Sequence, residues 1–88
     1  MRTIIIWREA SDYARPVREW LRDFEYQTGK QLESFSPDEP EGISLAKTYD
    51  IVEYPTIIAI RDNGELLQMW RGQTLPRINE VSYYLAEN

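Results

Sequence analysis

Carboxylates, hydroxyls and basic side chains are the only groups with which this sequence could do chemistry, because its 88 residues include no cysteine and no histidine. Thiol redox reactions, thiolate nucleophiles, disulfides, zinc sites built from cysteine or histidine, and imidazole acid-base catalysis near neutral pH are all excluded. The densest acidic set is Asp38, Glu39 and Glu41 in the stretch Ser36-Pro37-Asp38-Glu39-Pro40-Glu41-Gly42. A calcium loop alternates its acids around a glycine bend and ends on a distal glutamate. That spacing is missing, so a solvated acidic loop and no metal are expected. Arg15, Arg18 and Arg22 fall on one helical stripe with Glu19 and Glu25 beside it, a pattern that suits a solvated face and would also dock an acidic partner.

These groups must be positioned by seven elements. Thr3-Ile4-Ile5-Ile6-Trp7 is β-branched and aromatic without polar alternation, which predicts a central strand covered on both faces. Ser11 or Asp12 is placed to cap a helix whose Val17, Trp20, Leu21 and Phe24 share one face, and Thr28-Gly29 to end it. Lys30 to Phe35 reads as a weaker second strand and Ser36 to Gly42 as a loop. Ile43 to Tyr49 forms a short helix. Thr56 to Arg61 is the third strand, and Asn63-Gly64, in a type I′ turn, folds Glu65 to Trp70 back against it. Leu75-Pro76 opens a last helix with Ile78, Val81 and Leu85 on one face, running to Ala86. Trp70, Tyr83 and Tyr84 form a possible aromatic patch for self-association, although packing against the hairpin explains Trp70 equally well.

Size and charge narrow the function. The chain suffices for one domain, residues 1–88, and its 42% apolar content is that of a folded protein. Fifteen acidic against ten basic residues give a net charge of -5, which argues against nucleic acid or an anionic membrane as partner. Apolar runs reach only four residues, as in Ile57 to Ile60, so neither a membrane span nor a signal-peptide core is expected and a cytoplasmic location is.

The order β-α-β-α-β-β-α, with a parallel pair first and an antiparallel hairpin later, predicts an α/β fold with a central four-stranded mixed sheet flanked by helices. Tyr49-Asp50-Ile51-Val52-Glu53-Tyr54-Pro55-Thr56, then an apolar strand, Asn-Gly, a second strand and Arg71-Gly72, resembles the second half of the thioredoxin family. The resemblance implies a cis Pro55 beside the family's redox centre, which gives this proline, otherwise costly before a strand, a positional reason. It also implies that Ser11-Asp12-Tyr13-Ala14 occupies the slot of the family's Cys-x-x-Cys motif, with a hydroxyl and a methyl replacing the two thiols, and that Ile5 replaces the family's buried acid.

By the same resemblance Trp7, Ser11, Asp12, Tyr13 and Ala14 meet Glu53, Tyr54 and Pro55 at one end of the sheet, as a candidate binding site with no catalytic residue and no cofactor. The Tyr54 main chain is its best inherited binding feature. Plainer readings stand beside this: Ser11 and Asp12 as helix caps, Trp7 as core, Tyr13 as incidental surface. The function expected is a redox-inactive binding or adaptor module for a protein or peptide. One alternative is a glutathione-binding or glutathione transferase-like enzyme using Ser11 or Tyr13. Another is a structural subunit or homo-oligomer.

Overall fold

A computed structural model describes residues 1–85. Its elements are β1 (Arg2–Ile6), α1 (Ala14–Thr28), β2 (Glu33–Phe35), α2 (Pro40–Thr48), β3 (Thr56–Ile60), β4 (Leu66–Arg71) and α3 (Ile78–Leu85). The expected extension of the last helix to Ala86 lies outside the described residues. The strands form one sheet in the order β2-β1-β3-β4, with β1 parallel to β2 and antiparallel to β3, and β3 antiparallel to β4.

The apolar strands are central because both of their faces are covered. Ile4, Ile5, Ile6, Ile57 and Ile58 are wholly buried. Alternation along the strands divides them between two layers. Ile5, Trp7 and Ile57 pack with Ala14, Val17 and Phe24 of α1 and Val81 of α3. Ile4, Ile6, Ile58 and Ile60 pack on the other face with Leu45 and Ala46 of α2, Ile51 and Tyr49. Trp20 fastens α1 to the segment before α3 by donating its indole N–H to the Pro76 carbonyl at 2.8 Å.

Several local expectations are corrected. Neither Ser11 nor Asp12 caps α1: Tyr13 holds that position, with no side-chain cap bond. Ser11 instead donates its hydroxyl back to the Arg8 carbonyl, 2.6 Å away, within the turn that precedes the helix. The second strand begins at Glu33, not Lys30, because residues 28–30 are taken up in leaving α1, where the Lys30 N–H donates to Thr28 Oγ1. The stretch expected to be a loop up to Gly42 turns helical at Pro40. Proline at the first helical position loses no needed donor, and Glu39 ahead of it is extended.

The hairpin forms as expected, yet its turn is not type I′. That turn needs positive φ at both central residues, and Asn63 is not among the residues with positive φ. Gly64 alone takes that conformation, at φ +93°, and its N–H bonds the Arg61 carbonyl. The Asn63 side chain accepts from the Glu65 N–H. This is the three-residue hairpin connection, and the ladder then shifts register between Ala59 and Ile60 opposite Leu67.

Candidate functional site

Register decides which loops meet. Ile6 stands beside Phe35 on one side and Thr56 on the other, and Thr56 beside Arg71. The segments leaving these residues, 7–13, 36–39, 49–55 and 72–77, therefore gather at one end of the sheet.

Of the residues expected there, Trp7, Ala14 and Pro55 are buried. Trp7 is core, only 6% exposed, and its indole N–H donates to Ser34 Oγ at 2.7 Å. Ser11, Tyr13 and Tyr54 are half-buried, while Asp12 and Glu53 are exposed. Tyr13 and Tyr54 stand in different layers, Tyr13 against the α1 and α3 core and Tyr54 against the α2 core.

Arg8 reaches both. Its backbone N–H donates to the Tyr13 hydroxyl at 3.0 Å. Its guanidinium lies over the Tyr54 ring, 5.2 Å from the centroid, and donates through Nε and Nη2 to the two oxygens of Asp38, at 2.9 and 3.1 Å. The fork matches the carboxylate in a bidentate pair. Each charge stabilises the other's ionised form: the hydrogen bonds to Asp38 raise the Arg8 pKa, and those from Arg8 hold the Asp38 carboxyl below its ordinary range. Arg18 lies over Trp7 at 5.9 Å from the ring centroid and reaches the Glu9 carbonyl at 3.5 Å. Among the described residues it has no carboxylate partner, whereas Arg15 pairs with Glu19 and Arg22 with Asp23.

The Tyr54–Pro55 turn is held by two hydrogen bonds. Its peptide bond is cis. Thr56 Oγ1 donates to the Glu53 carbonyl at 2.6 Å, and the Gly72 N–H donates to the Pro55 carbonyl at 2.8 Å. Between these anchors the Tyr54 N–H and C=O make no hydrogen bond among the described residues. A shallow groove lined by Pro37, Ile43, Ala46, Ile51 and Val52, and also by the charged Lys47 and Asp50, runs up to Tyr54. A main-chain donor and acceptor without partners among the described residues, beside a partly apolar groove, can add an extended chain.

Chemistry at this site is limited by its hydrogen bonds. The Ser11 proton is engaged by the Arg8 carbonyl, so this hydroxyl is not oriented to donate to an incoming thiolate. The Tyr13 oxygen accepts from the Arg8 N–H, which leaves its own proton free to donate. Among the described residues no group of three acids is gathered as a metal site would require.

This arrangement, a mixed four-stranded sheet with two helices on one face and one on the other and a proline turn leading into β3 beside the end of β1, defines a thioredoxin-like fold, here without cysteine. Solved structures match it over nearly the whole chain. Mitochondrial thioredoxin 3 of Saccharomyces cerevisiae, in its oxidized form, superposes with a TM-score of 0.67 at 14% identity, covering 98% of this chain and 76% of that one. Thioredoxin 1 of Thermosipho africanus gives 0.63 at 14% identity, covering 98% and 91%. The germline-specific thioredoxin Deadhead of Drosophila melanogaster gives 0.64 at 13% identity, covering 97% and 77%. No protein-family model matches the chain, and no curated protein does.

Arg8, Asp38 and Arg18 were not among the residues that sequence reasoning assigned to the site. The available signal was position: Arg8 directly follows the most apolar strand, where a central strand delivers its next residue to the sheet end.

Proposed function

We propose that the chain is a redox-inactive, thioredoxin-like binding module of the cytoplasm that takes an extended segment of a protein or peptide along the Tyr54 main chain. The observation that carries this reading is the unpaired N–H and C=O of Tyr54 at a sheet end closed on either side by anchored neighbours. A strand laid against this peptide group supplies the two hydrogen bonds that it lacks among the described residues. The groove running from Tyr54 toward Ile43 and Val52 supports the reading, because alternate side chains of such a strand need apolar cover on one side.

The test is an amide-resolved NMR titration with a capped Thr-Val-Gln-Val-Thr peptide and with the same peptide N-methylated at its central residues. The expected result is perturbation at residues 52–56 by the first and its loss with the second, which cannot pair through its main chain. Shifts confined to other surfaces, or equal effects of the two peptides, overturn the proposal.

A further inference from the structure

We infer that Arg8 is a receptor for one carboxylate of the bound segment, in a place that the chain's own Asp38 fills in the free protein. The inference rests on the reading of Tyr54 as the pairing edge and names the class of segment that edge takes: an extended peptide with a single acidic side chain among uncharged neighbours.

Location is the first argument. Another bidentate pair, Arg2 with Glu33, ties β1 to its hydrogen-bonded neighbour β2. The Arg8–Asp38 pair instead crosses from the end of β1 to the loop before α2, and its guanidinium lies over the ring of Tyr54, the residue whose main chain is open among the described residues. The ring and the Asp38 fork fix the guanidinium where the side chain of a strand paired at Tyr54 would arrive.

Exchangeability is the second. The Arg8 side chain is 44% exposed and that of Asp38 66% exposed, so the pair forms in solvent. Exposed pairs are worth little, and an incoming carboxylate with the same bidentate geometry replaces the internal one at small cost. Asp38 in turn keeps the guanidinium paired and oriented until that happens. Arg18, over Trp7 and without a carboxylate partner among the described residues, adds a second positive charge at the same end.

The third argument limits the ligand's charge. Glu9, Asp12 and Glu53 are exposed around the site, and the whole chain carries -5. A run of acids would meet these groups, whereas one carboxylate seated on Arg8 does not.

The experiment compares the capped Thr-Val-Gln-Val-Thr peptide with its central Gln changed to Glu, on the wild-type chain, Asp38→Asn and Arg8→Gln. The quantity read is the ratio of the two affinities within each protein, from shifts at residues 52–56. The wild-type chain should favour the Glu peptide by about two- to fivefold, a range typical of an exposed ion pair. Removing the internal competitor in Asp38→Asn should widen the ratio, and Arg8→Gln should bring it to one. Raising the salt concentration should shrink it in the first two proteins. Equal affinities in all three proteins, with shifts still centred on residues 52–56, sink the carboxylate receptor and leave the Tyr54 reading intact. If neither peptide perturbs those residues in any protein, the Tyr54 reading fails and this inference with it.

Discussion

Arg8 faces two ways: its main chain serves the α1 side of the sheet through Tyr13, while its side chain serves the α2 side through Tyr54 and Asp38. No local pattern announces such a residue. Its partner lies 30 residues away and is reached only because β1 and β2 run parallel, which carries both chain ends to the same edge. Tyr13, by contrast, reads from the sequence as a binding residue or as incidental surface, and its hydroxyl gives it a further place by accepting from the Arg8 N–H. Thr3 is a residue of another kind. It is 2% exposed in a central strand, and its Oγ1 has no hydrogen-bond partner among the described residues. A buried hydroxyl without a partner keeps its desolvation cost with nothing to offset it. Replacing it with the similarly shaped valine, a better strand former, removes that cost. Thr3→Val is expected to stabilise the protein by about 1 kcal/mol, read as a higher urea midpoint with an unchanged slope. A lower midpoint would mean that the hydroxyl has found a partner in solution, a bound water for instance.

Among the elements, what the sequence made legible follows the density of local signals. The unbroken apolar runs of β1 and β3 announce burial on both faces, and the spacing of Val17, Trp20, Leu21 and Phe24 announces α1. Both are as expected because one interaction, apolar packing, dominates them. The start of α2 differs from the expectation because its composition reads as loop while its side chains close a local turn. Ser36 through Glu41 reads as proline-rich and acidic, yet the Ser36 N–H bonds Glu39 Oε1 and its hydroxyl accepts from the Asp38 N–H, so the loop closes on itself and delivers Pro40 as a first helical residue. Gly42 then lies in the first turn of α2 against the Ser36 carbonyl, where a Cβ would overlap the oxygen. Two effects compete at this position. Alanine gains about 1 kcal/mol over glycine in an ordinary helix, while forcing a methyl into a closed contact costs typically 1–3 kcal/mol, roughly, and the obstacle here is backbone that cannot swing aside. The clash wins. Gly42→Ala should lower stability by about 1–2 kcal/mol in urea denaturation, and a gain would show that the loop before α2 is free to shift.

Taken as a whole, the molecule is a scaffold whose electrostatics are carried by a few exposed pairs and by no histidine. Asp38 is held below the ordinary carboxylate range by its hydrogen bonds from Arg8, Glu33 by those from Arg2, and Asp62 by the N-terminal ammonium, 2.7 Å away. A carboxylate whose folded pKa is depressed contributes stability above its unfolded pKa and loses that contribution as the pH falls through the folded value. All three act in the same direction and in the same window, beginning near pH 4 and extending below it, roughly. Because each of them is exposed to solvent, the combined loss should be gradual and should diminish in added salt. Between about pH 5.5 and pH 7 no imidazole titrates, since the sequence contains no histidine. Thermal unfolding followed across this range should therefore give a plateau through the weakly acidic region and a decline only beneath it. Within the decline, Arg8→Gln and Arg2→Gln should each flatten the curve, because a carboxylate that has lost its cation returns toward its unfolded pKa and no longer links folding to protons. A slope between pH 5.5 and pH 7, roughly the imidazole range, would contradict this account, as would variants that decline as steeply as the wild-type chain. The Arg8 variant ties this behaviour to the site: the same guanidinium that gives the acid decline part of its steepness is the one that selects an acidic segment, so a single substitution should weaken both.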